Sequence, residues 1–212
     1  MLLREITIGK TELMLVMGNI LDQPVASVVN PANQSLLGGG GLDGMIHRVA
    51  GPSLREACKM IPVIRSRCRI EVGSAIVTEA FNLHKYNRNI QFIVHTVGPN
   101  CENPIQSQNR KNLLETAYFH SLVASYEKRG FSIAFPAIST GSFGYPFLEA
   151  QAIAFKTIKN YIEMHSSHFE RIVFVMYQID DQNIISNLEK LWDDVYQDQF
   201  TDSNDFTAPT PM

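Results

Sequence analysis

Asn30-Pro31-Ala32-Asn33-Gln34-Ser35-Leu36-Leu37-Gly38-Gly39-Gly40-Gly41-Leu42-Asp43-Gly44-Met45-Ile46-His47-Arg48-Val49-Ala50-Gly51 follows a β-branched apolar run that ends at Asn30. The order is strand end, loop, glycine run, then helix-period sequence. Ordering four consecutive glycines costs backbone entropy. In return they clear side chains away, so a ligand can reach backbone amides at the positive end of a helix dipole. A flexible linker is the plain alternative, but the run is flanked by Leu36, Leu37 and Leu42 and has none of a linker's serine. The reading is an anion-binding turn between a strand and a helix.

Outward from this turn, apolar β-branched runs alternate with helix-period segments. Strands are expected at 4–8, 12–17, 26–30, 74–78, 91–96, 132–136 and 171–177. Helices are expected at 42–50, 52–60, 108–128, 146–165 and 181–196. The runs 90–97 and 172–177 are apolar almost throughout, as strands covered on both faces should be. Such alternation predicts an α/β protein, a three-layer α/β/α sandwich with a mixed, mostly parallel central sheet. The short Gly9–Lys10–Thr11 link predicts one antiparallel hairpin. Residues 1–198 read as one domain, and 199–212, aperiodic and containing Pro209 and Pro211, as a disordered tail.

Composition excludes several classes. The chain has 212 residues, 45% hydrophobic and 18% charged, which supports a sizeable core rather than wholesale disorder. A net charge of −3 argues against a nucleic-acid partner. No apolar run approaches the roughly 18 residues of a membrane helix, and no signal-peptide core follows the N-terminus, so a cytoplasmic location is expected. Three cysteines, Cys58, Cys68 and Cys101, without CxxC spacing predict reduced thiols and no zinc site.

In an open α/β sheet, ligands bind beyond the carboxyl ends of the strands. Several such ends carry polar or glycine-rich sequence here. Asp43 reads as a helix N-cap or as a carboxylate facing a sugar hydroxyl or a water. His47 lies one turn further on the same face. Asn33 reads equally as a turn former and as a sugar-orienting amide. Ser139, Thr140, Gly141, Ser142, Phe143 and Gly144 form a second glycine-containing strand-to-helix loop, with Phe143 free to cover a sugar. Tyr177 ends a strand, in the core or stacked on a base. Asn19 and Ile20, after Gly18, stand at another strand end. Gly39, Gly41 and Gly44 also fit the GxGxxG dinucleotide pattern. Residues 31–37 separate them from the strand, and the acidic residue at the expected distance, Glu56, falls inside a predicted helix. A nicotinamide-dinucleotide oxidoreductase is therefore the weaker reading.

These segments, with His95-Thr96-Val97-Gly98-Pro99 and the stretch from Pro136 to Pro146, resemble a macrodomain, and within that fold the MacroD-type ADP-ribosyl hydrolases. The likeness covers about Gly18 to Tyr177, and Asp43 after the glycine run is its specific mark. The resemblance implies a cofactor-free, metal-free hydrolase acting on ADP-ribose esters. Its substrates would be O-acetyl-ADP-ribose and proteins mono-ADP-ribosylated on glutamate or aspartate, with no nucleic acid or membrane partner. A non-catalytic ADP-ribose reader is the alternative. It further implies that Asn33 and Asp43 are the catalytic pair around the distal ribose, with His47 supporting Asp43. Gly39, Gly40 and Gly41 would meet the diphosphate from one side, and Ser139 to Phe143 from the other. Asn19, Ile20 and Tyr177 would hold the adenine. The family usually has Asp where this chain has Asn19, so a neutral hydrogen bond to adenine replaces a charge-assisted one.

Overall fold

The computed structural model describes residues 1–166 and 168–196. The expected domain end at 198 and the expected tail 199–212 lie outside the described residues. Seven strands form one sheet: β1 (Leu2–Ile8), β2 (Thr11–Met17), β3 (Ser27–Pro31), β4 (Ala75–Glu79), β5 (Phe92–Thr96), β6 (Ser132–Phe135) and β7 (Arg171–Met176). Their order is β1-β2-β7-β6-β3-β5-β4. The four central pairings, β2–β7, β7–β6, β6–β3 and β3–β5, are parallel. Both edges are antiparallel: β1 closes on β2 through Gly9 at φ 62°, and β4 runs against β5. The first was expected from the short link; the direction of β4 was not.

Helices α1 (Gly41–Ala50), α2 (Pro52–Met60), α5 (Arg110–Glu127), α6 (Phe147–Met164) and α7 (Gln182–Tyr196) match the expected five. Two short helices, α3 (Leu83–Tyr86) and α4 (Pro104–Gln108), and a 3-10 turn at Ile20–Asp22 are additional. Successive strand residues point to opposite faces, and β7 shows the consequence. Ile172 and Phe174 join one core with Ala154, Phe155, Ile158 and Trp192 of α6 and α7. Val173 and Val175 join the other with Ile46, Ala50 and Leu54 of α1 and α2. The sheet is thus apolar on both faces and covered by helices on both, which makes the three layers.

The four parallel neighbours β3, β5, β6 and β7 end at Pro31, Thr96, Phe135 and Met176 on one rim. The loops that follow these ends carry nearly all the polar sequence singled out above.

Candidate functional site

A cavity of about 680 Å³ opens on that rim. Asn33, Gly39, Gly40, Gly41 and Asp43 line one wall, Ser139, Thr140, Gly141, Ser142 and Phe143 the other, and Tyr177 the end beside β7. Tyr177 is 65% exposed, so it belongs to the cleft mouth and not to the core. Four of the predicted residues, Asn19, Ile20, Gly144 and His47, do not line this cavity. Gly18 N–H donates to the Met176 carbonyl, so Asn19 and Ile20 follow at the adjoining end of β2. The Asn19 carboxamide caps the 3-10 turn by accepting from Leu21 N–H at 3.1 Å. Gly144, at φ 66°, closes a turn by donating its N–H to the Gly141 carbonyl.

The first wall is built by tight local geometry. Asn33 Oδ1 accepts from Ser35 N–H at 2.9 Å and its Nδ2 donates to the Gly38 carbonyl at 3.0 Å. Asn33 is therefore a turn former, and its amide stays at the cleft. The N-cap of α1 is Gly40, not Asp43, which sits in the first helical turn and is 5% exposed. The loop lies so close to the helix that a Cβ on Gly44 would stand 2.5 Å from the Gly39 carbonyl oxygen. That contact accounts for the third glycine of the GxGxxG match by packing alone. The opposite wall is held by Tyr118, whose buried hydroxyl accepts from Ile138 N–H and donates to the Pro136 carbonyl. Ser139 adopts φ 68°, a left-handed conformation costly for a residue with a side chain and typical of a site that over-determines it. A Cβ on Gly98 would overlap Ser139 Oγ, so the loop after β5 braces this wall.

Among the described residues Asp43 is the one carboxylate in the cavity lining, and no Lys or Arg lines it. An anionic ligand there meets backbone amides and the α1 N-terminus in place of cations. Asp43 Oδ1 accepts from Asn30 Nδ2 at 2.8 Å and lies 3.5 Å from His47 Nε2. Burial pushes the Asp43 carboxyl above the usual range, with the Asn30 hydrogen bond and His47 pulling the other way. Burial also lowers the His47 imidazole. His47 backs Asp43 from behind and lines a second, open cavity of about 600 Å³ with Gly38, Arg48 and Arg55, across the glycine loop.

Three further residues escaped the sequence reading. Asn30 (β3), His95 (β5) and Thr78 (β4) form a chain behind Asp43: Asn30 Nδ2 lies 3.1 Å from His95 Nδ1, and His95 Nε2 lies 2.9 Å from Thr78 Oγ1. Burial lowers the His95 imidazole to about 3, so it is neutral. The available signal was an amide and an imidazole interrupting the apolar ends of β3 and β5. Among the described residues no cluster of three or more His, Cys, Asp or Glu is arranged to hold a metal ion, and no helix is long and apolar enough to cross a membrane.

A mixed α/β/α sandwich here carries two glycine-containing loops that face each other over a cleft at the strand ends, where open α/β sheets take their ligands. The Macro domain family model matches residues 29–154, and the chain belongs to that family. It is 41% identical over 171 residues to the O-acetyl-ADP-ribose deacetylase of Citrobacter koseri, covering 81% of this chain and 91% of that one. It is 40% identical over 179 residues to the protein of the same name from Escherichia coli, covering 84% and 96%. The Oceanobacillus iheyensis macrodomain solved with ADP superposes with a TM-score of 0.74 at 32% identity, over 92% of this chain and 95% of that one. The Trypanosoma brucei macrodomain in complex with ADP-ribose gives 0.68 at 31% identity, over 84% and 68%.

Proposed function

We propose that this protein binds ADP-ribose in the 680 Å³ cleft and hydrolyses esters at its distal ribose. The substrates are O-acetyl-ADP-ribose and ADP-ribose joined to glutamate or aspartate side chains of proteins. The observation that carries this reading is the convergence of Asn33 and Asp43 on Gly39. A Cβ there would stand 3.3 Å from the Asn33 amide nitrogen and 3.0 Å from Asp43 Oδ2. A module that only binds has no use for a buried carboxylate beside a phosphate loop, where it repels the ligand. The names of the relatives support the same chemistry.

In this mechanism the diphosphate lies between the amides of Gly39 to Gly41 and the 139–143 loop, and Phe143 covers the distal ribose. Asn33 fixes the ribose. Asp43, made more basic by burial than an ordinary aspartate, orients a water toward the ester carbonyl and draws its proton, sharing that work with the substrate's own phosphate. Water adds to the carbonyl carbon, the bond to the ribosyl oxygen breaks, and that oxygen leaves as a hydroxyl after taking a proton. Glycine amides stabilise the negative charge that develops. Asn19, Ile20 and Tyr177 hold the adenine end.

The test is release of ADP-ribose from O-acetyl-ADP-ribose and from a carrier mono-ADP-ribosylated on glutamate, with ADP-ribose affinity measured alongside. Asp43→Ala should lower turnover by about a hundredfold or more while affinity stays within a few-fold. Binding without release from either ester by the parent protein would make the cleft that of a reader.

A further inference from the structure

We propose that Asn30, His95 and Thr78 are positioning residues that set the orientation of the Asp43 carboxylate, holding one oxygen from behind so that the other is turned to the substrate. This rests on the hydrolase reading above and extends it to three residues that touch no ligand.

Asn30 and His95 are direct partners across the parallel β3–β5 pair, so their side chains emerge side by side from the same face. Both are fully buried. Asn30 Nδ2 has two hydrogens and two acceptors: Asp43 Oδ1 at 2.8 Å and His95 Nδ1 at 3.1 Å. That arrangement fixes the amide orientation, because a carbonyl oxygen in this position would face a carboxylate oxygen. It also fixes the imidazole tautomer. Nδ1 accepts, so Nε2 carries the hydrogen and donates to Thr78 Oγ1 at 2.9 Å on β4. The chain from Thr78 through His95 and Asn30 thus has one polarity and ends on a single oxygen of Asp43. The other oxygen, Oδ2, is left on the Gly39 side, against the cleft wall.

This network is poorly explained as a device for stability. Asn30 Oδ1 is buried with no hydrogen-bond partner, and a neutral imidazole is held where a phenyl ring would pack without desolvation cost. What the arrangement supplies is direction. A carboxylate on the first turn of a helix can rotate about its last bond, and a buried amide donor fixed from behind removes that freedom before substrate arrives. His47 alone does not, since its Nε2 stands 3.5 Å from the same oxygen and makes no hydrogen bond.

The titratable groups around Asp43 are His47 on its own helix, Cys58 and, beyond His47, Arg55 on α2, and His95 on β5. Asn30 is the neutral donor among them, and its hydrogen bond favours the ionised carboxylate. Removing it should therefore raise the pH at which Asp43 loses activity on acidification.

The experiment compares the parent, Asn30→Ala and Thr78→Val on O-acetyl-ADP-ribose between pH 4 and 8, with ADP-ribose affinity and melting temperature measured for each. For Asn30→Ala we expect kcat to fall about tenfold to a hundredfold, as for a group displaced by a fraction of an ångström. KM and ADP-ribose affinity should stay within about twofold, and the acid limb of the kcat profile should move to higher pH. Thr78→Val, at the half-buried far end, should show the same changes more weakly and keeps the idea testable if Asn30→Ala does not fold. Unchanged kcat in both variants, or a loss in affinity matching the loss in kcat, would overturn the positioning role while leaving the hydrolase reading intact. A parent protein inactive on both esters would overturn the two together.

Discussion

A Cβ placed on Gly39 would stand 3.0 Å from Oδ2 of Asp43, so the bare backbone of the glycine run is what lets this carboxylate reach the cleft. The same hypothetical atom would lie 3.3 Å from the Asn33 amide nitrogen. Gly39 does not occupy the left-handed region that Gly38 and Gly41 adopt, so a side chain there meets crowding and no backbone strain.

Gly39→Ala should accordingly fold, with a melting temperature within a few degrees of the parent, and lose turnover by about tenfold or more as Asp43 and Asn33 give way. Steady-state kinetics on O-acetyl-ADP-ribose would check this. Parental kcat in a folded Gly39→Ala protein would mean that the two side chains need not meet at this point.

Acid should weaken the fold through His95. Its imidazole is lowered from 6.5 to about 3 by burial, so the unfolded chain takes up a proton in this interval while the folded one does not. The unfolded state binds more protons, and stability falls as pH drops from about 6.5 toward 3. His47, also lowered by burial, acts with the same sign; Asp43, raised by burial, opposes it, because ionising it costs stability as pH rises. Urea unfolding of the parent and His95→Gln at pH 7 and pH 5 should show a smaller loss on acidification in the variant. Parallel losses would place the missing proton elsewhere.

Asn19 offers a test of the adenine end. Its Nδ2 lies 3.3 Å from Asp22 Oδ1, which also accepts from the Tyr86 hydroxyl at 2.7 Å. Asn19→Asp keeps an acceptor for Leu21 N–H but sets two carboxylates side by side. Affinity for ADP-ribose should rise by a few-fold as a neutral hydrogen bond becomes charge-assisted, while the melting temperature drops. Adding Asp22→Asn should restore the melting temperature and keep the gain. Calorimetric affinities that do not improve in either variant would remove Asn19 from the adenine site.

The layered architecture was legible because sheet faces and helix faces carry different periods. The run 172–177 announced a strand covered on both sides, and β7 is buried along both faces. Helix α2 has the ends expected from the sequence, 52 and 60, with Pro52 in its first turn and Leu54 and Cys58 buried. The 4- and 5-residue helices α3 and α4 are too short to display a period. The direction of β4 was hidden for another reason: all but one of its residues are half-buried, and side-chain alternation is the same in parallel and antiparallel strands.

In the cleft, Asn33, the glycine run, Asp43 and the 139–143 loop could be found from the sequence because each lies between the end of a strand and the first turn of the next helix, a position fixed by chain order. His47 could be tied to Asp43 because a helix brings residues four apart together. Asn30, His95 and Thr78 could not be joined in that way. They are separated along the chain and meet only through the registers of β3 with β5 and of β5 with β4. Local sequence therefore determined the layers and the two glycine-containing walls, since periodicity and turn chemistry are local properties. The set of buried partners that holds the Asp43 carboxylate from behind was decided by strand pairing, a long-range property that exists only once the sheet has formed.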